Sequence, residues 1–142
     1  TGEKKLNRER VMDFVKKNGV LPFIETFVPG LFFQKDLKNI ERVYEIAAKT
    51  PENVLLAYTK AMRDRPDMTG FLSVFDKPIL FLAGEKDTFI AVSSVFEQAR
   101  RSVRGQLKVL AETGHMGMFE ATEESVKILK DFSKACFHVS SL

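Results

Sequence analysis

The sequence predicts an α/β fold that is a fragment of a doubly wound sheet, with two parallel strands, flanking helices and a helical region before them. Residues 1–75 place apolar side chains at helical spacing, whereas residues 76–142 alternate between short apolar runs and amphipathic stretches. The order strand, helix, strand, helix gives two parallel strands joined by a right-handed crossover. Since parallel strands need cover on both faces and neighbours at their edges, we expect the rest of the sheet to come from other sequence.

The first part of the chain predicts three helices. Asn7 is the predicted N-cap of the first, which ends at Gly19. A second helix is expected over about 36–49, where the apolar positions form one stripe. A third covers about 50–65 and starts with Thr-Pro, a cap followed by a proline in the first turn. Because residues 20–33 contain two prolines and a glycine, we expect only a turn or two of helix among loops there.

The second part predicts two strands and two helices. Residues 77–84 form a continuous apolar run between a proline and a glycine, which is typical of a strand buried on both faces. Helical spacing follows over 92–103, and residues 106–111 form a second short strand. A closing helix is expected over about 122–136.

Composition excludes several classes of protein. The net charge is +3, and positive and negative residues are well mixed along the chain. Since no motif that reads a DNA or RNA groove is present either, no nucleic-acid partner is predicted. The single cysteine, Cys136, excludes an internal disulfide framework, which favours a reducing compartment and hence the cytoplasm. One cysteine and two distant histidines cannot form a zinc cluster, and we expect no metal and no cofactor. No apolar run of roughly 18 residues is present, so no membrane span is predicted.

Each predicted strand ends next to a candidate catalytic side chain. Asp87 follows Gly84 in G-E-K-D, and His115 follows Gly114 in E-T-G-H. Neighbouring parallel strands bring both side chains to the carboxyl edge of the sheet, where open α/β sheets bind ligands. An aspartate beside an imidazole fixes its tautomer and stabilises the imidazolium, which indicates an acid–base pair that awaits a nucleophile. Asp87 could instead cap the following helix or be solvated.

These stretches resemble the C-terminal end of an α/β-hydrolase. The resemblance lies in F-D-K-P-I-L-F-L-A-G-E-K-D and L-K-V-L-A-E-T-G-H-M-G-M-F-E-A. It implies that Asp87 is the catalytic acid and His115 the catalytic base, with Gly114 and Glu120 as structural support for the histidine loop.

The resemblance also implies a division of the chain and a missing part. Residues 1–75 are similar to the helical lid, or cap, that the family inserts before its last two strands, and residues 76–142 to the end of its core. The nucleophile elbow G-x-S-x-G is absent, because no serine here has the flanking glycines. In the family the nucleophile precedes the acid and the base, so we expect it upstream of Thr1, whether it is a serine or, as in dehalogenase-like members, a carboxylate.

Two functions remain open. The first is the C-terminal part of a serine-type hydrolase for an ester or related acyl substrate with an apolar portion, inactive without the missing N-terminal half of the same protein. The second is a non-catalytic interaction module that forms a homodimer or swaps elements through its exposed sheet edge.

Four apolar side chains are candidates for the wall of a substrate pocket, with packing of the lid or filling of the core as the alternative. They are Phe23, Phe27, Met116 and Met118. The second histidine, His138, is expected to be solvated or loosely packed.

Overall fold

The computed structural model describes residues 2–137, and the prediction for His138 lies outside this range. Within it the chain forms eight helices and two strands. They belong to two units: residues 2–30 with 36–67, and residues 31–35 with 68–137. The short segment 31–35 therefore belongs with the strands, although helices of the other unit flank it in sequence.

The first unit consists of four helices. They are α1 (Gly2–Asn18), α2 (Val20–Gly30), α3 (Leu37–Ala48) and α4 (Glu52–Asp64). Helix α1 packs against α2 and α4, and α2 packs against α3. The fully buried side chains of Val15 and Val28 lie in α1 and α2. At the start of α3, the side chain of Asp36 accepts a hydrogen bond of 3.0 Å from the N–H of Lys38 and caps the helix.

Three sequence predictions for this unit are wrong. Thr50 does not cap the third predicted helix, because α4 begins at Glu52 and its N-cap is Pro51, which offers no capping side chain.

The other two concern the first two helices. Helix α1 begins at Gly2, so Asn7 lies inside it and is not its N-cap. Residues 20–30 form a complete helix rather than a turn or two. Its first proline, Pro22, lies in the first turn, where backbone N–H groups have no partner within the helix, and Pro29 lies in the last turn. Neither proline therefore interrupts the middle of α2.

The second unit contains the sheet. Its elements are α5 (Thr69–Leu72), β1 (Ile79–Gly84), α6 (Val92–Arg101), β2 (Gly105–Leu110), α7 (Gly117–Glu120) and α8 (Thr122–Phe137). The strands are parallel, with Ile79 opposite Gly105 and Gly84 opposite Leu110, so both end at the same edge. Helix α6 connects them and packs on both strands, while α8 contacts β2. The predicted fold class, a fragment of a doubly wound sheet with two parallel strands, is confirmed.

The sheet of the second unit has unsatisfied edges and apolar surface. Among residues 2–137, β1 has β2 as its only strand partner, so its other edge is not paired with a strand. The side chains of Val126, Leu129 and Phe137 on α8 are exposed. None of the described helices combines the length and the apolar character that a membrane crossing requires.

Candidate active site

The turn that carries Asp87 is fastened to the loop that carries His115. After β1 ends at Gly84, the chain turns back so that the N–H of Asp87 donates to the Gly84 carbonyl over 3.3 Å. The preceding amide of the turn, the N–H of Lys86, donates to the carbonyl oxygen of Thr113 over 2.8 Å. These bonds make the two loops one structure at the carboxyl edge of the sheet.

Gly84 allows this close approach because it has no side chain. A Cβ atom at this position would lie 2.0 Å from the carbonyl oxygen of Gly114 and 2.5 Å from that of Thr113. Both neighbours are backbone atoms, so neither can move aside as a side chain can. A glycine at the end of β1 is therefore required for the loops to meet.

The structure brings Asp87 and His115 into direct contact. Nδ1 of His115 lies 2.8 Å from Oδ2 of Asp87. The other carboxylate oxygen, Oδ1, accepts hydrogen bonds from the N–H groups of Phe89 at 2.8 Å and Ile90 at 3.0 Å. Asp87 thus caps its own turn and holds the imidazole at the same time. It does not cap α6, which begins only at Val92.

Burial and hydrogen bonding shift the pKa of Asp87 in opposite directions. Its side chain is 8% exposed, whereas that of His115 is 36% exposed. Burial by itself raises the pKa of the Asp87 carboxyl, but the hydrogen bonds from His115, Ile90 and Phe89 outweigh it and lower that pKa below its usual value. A carboxylate held ionised beside Nδ1 favours the tautomer with a proton on Nδ1 and a free lone pair on Nε2.

The lowered pKa of Asp87 predicts a loss of stability in acid. A carboxyl with a depressed pKa stabilises the fold fully above the pKa of an unfolded aspartate, about 3.9, and this contribution disappears as the pH falls through the lower folded value. We therefore expect the free energy of unfolding to fall less between pH 5 and pH 2 for Asp87→Asn than for the unmodified chain. Urea titrations followed by circular dichroism measure the free energy of unfolding at each pH. The exposed Asp131→Asn on α8 is the control, and an identical pH dependence for both variants contradicts the prediction.

A cavity of about 270 Å³ lies beside this pair, and both Asp87 and His115 contribute to its wall. Most of the remaining wall is apolar, with Leu82, Ile90, Val95, Leu110, Met118 and Leu129 among its residues. The arrangement places an imidazole at the boundary between solvent and an apolar space.

The four candidate pocket residues have different surroundings. Met118 lies in the wall of the cavity, whereas Met116 lies outside it. Phe23 and Phe27 belong to the helical unit, where their rings stack on each other with centroids 4.9 Å apart. Sequence reasoning missed Phe89, whose ring centroid lies 5.7 Å from that of His115. The apolar pair Phe89-Ile90, two residues after the aspartate, was the available signal.

Glu120 holds the loop on the amino side of His115. Its Oε2 accepts a hydrogen bond of 2.9 Å from the N–H of Gly114. Its Oε1 accepts two more, from the N–H groups of Phe33 at 2.7 Å and Gln34 at 2.8 Å. The structure therefore brings Gly114 and Glu120 together, and it adds backbone from residues 33 and 34 that sequence reasoning did not connect with the histidine.

A serine also lies in the cavity wall, but its surroundings do not suit a nucleophile. Ser125 is 3% exposed and sits in the first turn of α8. Its hydroxyl donates to the carbonyl oxygen of Gly117 over 3.1 Å, so its proton is already engaged. Within residues 2–137, no three His, Cys, Asp or Glu side chains come together as metal ligands.

Comparison with solved structures finds close likenesses. The chain superposes on a thermophilic esterase from Thermogutta terrifontis with a TM-score of 0.87 and 25% identity, over 96% of this chain and 52% of that one. An esterase from Exiguobacterium antarcticum gives a TM-score of 0.83 and 16% identity, over 92% and 48% of the two chains. An α/β hydrolase enzyme from a Medee basin deep-sea metagenome gives 0.80 and 15%, over 93% and 51%.

The chain spans about half the length of these structures. No family model and no curated protein sequence matches it.

Proposed function

Because the chain has the α/β-hydrolase fold, we propose that it is the C-terminal part of a serine-type α/β-hydrolase and carries the acid–base half of the catalytic triad. The observation that carries this proposal is the hydrogen bond of 2.8 Å between His115 Nδ1 and Asp87 Oδ2, at the carboxyl edge of the sheet and beside an apolar cavity. The nucleophile and the oxyanion-hole donors come from a separate stretch of polypeptide, the missing N-terminal half of the same protein.

In this mechanism His115 transfers the proton, and Asp87 orients the imidazole of His115. With its Nδ1 proton held by Asp87, the imidazole accepts the proton of the incoming serine hydroxyl at Nε2 as the hydroxyl attacks the substrate carbonyl. The imidazolium that forms is stabilised by the carboxylate of Asp87. It then gives the proton from Nε2 to the leaving group, and a second cycle with water releases the acyl group.

The substrate is an ester or a related acyl compound with an apolar portion. The apolar wall beside His115, including Ile90 and Met118, supports this assignment. Residues 1–75 are proposed to be the lid, with Phe23 and Phe27 as candidates to contact the apolar portion.

The chain by itself is expected to show no turnover, because a base without a nucleophile and oxyanion donors retains little of the rate enhancement. Release of p-nitrophenol from a p-nitrophenyl ester measures this, with His115→Ala as the control. We expect equal rates for the two proteins, and expect ester hydrolysis once the N-terminal half is joined to the chain or added to it. Turnover by the chain alone above the His115→Ala control would contradict the proposal, as would an inactive assembly of two folded halves.

The alternative proposal is an interaction module that pairs through its sheet edge. The unpaired edge of β1 among the described residues and the exposed apolar side chains of α8 favour it. Size-exclusion chromatography with light scattering separates the two functions. A dimer whose association is lost in Leu82→Pro, in β1, but kept in the control Leu82→Ala supports the module. A monomer at every concentration argues against it.

A further inference from the structure

We propose that residues 31–34 and the carboxylate of Glu120 act together as a positioning element for His115, and that opening of this element releases the imidazole from Asp87. The element joins a segment that precedes α3 to the loop after β2, and its parts are more than eighty residues apart in the sequence. A role of this element in catalysis rests on the proposed function, whereas its positioning of the His115 ring does not.

The first part of the element is the carboxylate of Glu120. Both of its oxygens are used, since Oε1 accepts from Phe33 and Gln34 and Oε2 accepts from Gly114. Three backbone N–H groups thus converge on one negative charge, and hydrogen bonds to a charged acceptor are stronger than neutral ones. The carboxylate links residues 33 and 34 to the residue just before His115.

The second part is a direct bond to His115 itself. Its backbone N–H donates to the carbonyl oxygen of Leu31 over 2.8 Å. The two amides on the amino side of the imidazole, those of Gly114 and His115, are therefore both held by the same element, one through Glu120 and one by Leu31.

Close packing supports the same assignment. A Cβ atom on Gly114 would lie 2.6 Å from the backbone nitrogen of Phe33 and 2.9 Å from the carbonyl oxygen of Leu31. The amide of the Gln34 side chain donates to the carbonyl oxygen of Glu112 over 3.1 Å and adds a further bond between the segment and the loop. The loop therefore has no room to shift toward residues 31–34.

The imidazole needs a fixed backbone because it is partly exposed. The ring of His115 is 36% exposed, so its orientation depends on the bond to Asp87, on the neighbouring ring of Phe89 and on the path of its own backbone. The carboxylate of Asp87 is held in addition by the N–H groups of Phe89 and Ile90, which belong to its own turn. If the backbone of His115 is released, the carboxylate stays in place and the ring leaves it.

The main test follows the ring proton on Nδ1 of His115 by nuclear magnetic resonance in the full chain. Glu120→Gln keeps the shape of the side chain but replaces one acceptor oxygen with an NH₂ group, which cannot accept. We expect exchange of the Nδ1 proton with water to become about tenfold faster or more, since a lost hydrogen bond to a charged group is worth at least that factor. Glu123→Gln, an exposed carboxylate in the first turn of α8, is the matched control and should leave the rate unchanged.

Chemical rescue separates positioning from general support of the fold. Glu120→Ala leaves three N–H donors facing the space of the missing carboxylate, and added acetate should occupy it and restore slow exchange of the Nδ1 proton. Added chloride at the same ionic strength should not. A folded Glu120→Gln variant with the exchange rate of the unmodified chain overturns the proposal, and so does a folded Glu120→Ala variant that acetate leaves unchanged.

A measurement on the unmodified chain covers the case in which the variants fail to fold. Hydrogen exchange of the Phe33, Gln34, Gly114 and His115 amides should share one opening rate with the Nδ1 proton of His115. If those four amides exchange while the Nδ1 proton stays protected, the inference is wrong. None of these outcomes depends on ester hydrolysis, so an inactive assembled enzyme would refute the proposed function and leave this result standing.

Discussion

Replacing Gly84 by alanine is expected to lower the free energy of unfolding by about 3 kcal/mol, the upper end for overpacking a closely packed site. The added Cβ atom would lie 2.0 Å from the carbonyl oxygen of Gly114 and 2.5 Å from that of Thr113. Relief requires the loop of Asp87 to separate from the loop of His115. The same movement breaks the hydrogen bond from the N–H of Lys86 to Thr113, so strain and a lost bond add together.

Gly70→Ala is the matched control for this experiment. Apart from its chain neighbours and the backbone of its own helix, no described heavy atom lies within 4 Å of the position that its Cβ would take. Gly70 lies in helix α5, where alanine has the better propensity. Urea unfolding followed by circular dichroism compares the variants, and we expect Gly70→Ala to match or slightly exceed the unmodified chain. A Gly84→Ala variant within about 0.5 kcal/mol of the unmodified chain, the range of an ordinary surface substitution, would show that the loops separate easily.

The sheet could be predicted from the sequence because its signals are local. The apolar run before Gly84 has a proline at one end and a glycine at the other, and the structure places β1 at Ile79–Gly84 inside it. The second strand, Gly105–Leu110, lies one residue from its predicted position. Parallel pairing followed from the helix between them, since a crossover of this length joins parallel neighbours.

The errors arise where a local signal has more than one outcome. Proline and glycine in residues 20–30 indicated loops, yet both prolines of α2 lie in its terminal turns and the helix persists between them. The short helices α5 and α7 have four residues each, too few for an apolar period to be recognised.

Only part of the candidate site could be predicted from the sequence, for a different reason. Asp87 and His115 follow from topology, because each comes just after a strand and the strands are neighbours. The contribution of residues 31–34 depends on contacts between backbone atoms and a carboxylate 86 or 87 positions away. Backbone donors are the same in every residue, so no pattern of side chains reveals which of them Glu120 will bind.

Replacing His115 by alanine is expected to lower kcat of the proposed assembled hydrolase by about 10⁴-fold or more, because in the proposed mechanism this imidazole takes the proton of the nucleophile. Asp87→Asn should cost about 10⁴-fold even though the imidazole remains. An amide can donate to Nδ1 where the carboxylate only accepts, so it favours the tautomer with its proton on Nε2, and that nitrogen then cannot act as the base. KM should change far less than kcat in both variants, since neither change removes the apolar wall.

The double variant provides the decisive comparison, because Asp87 acts on the reaction only through His115. If this dependence is correct, His115→Ala combined with Asp87→Asn should be no slower than His115→Ala alone, and the two losses should not multiply. Asp131→Asn should keep full activity as the matched carboxylate control. Multiplicative losses would mean that Asp87 acts on the substrate by its own route. Its Oδ1 and Oδ2 are already occupied by Phe89, Ile90 and His115, so the hydrogen bonds leave Asp87 suited to hold the imidazole and poorly suited to contact the substrate.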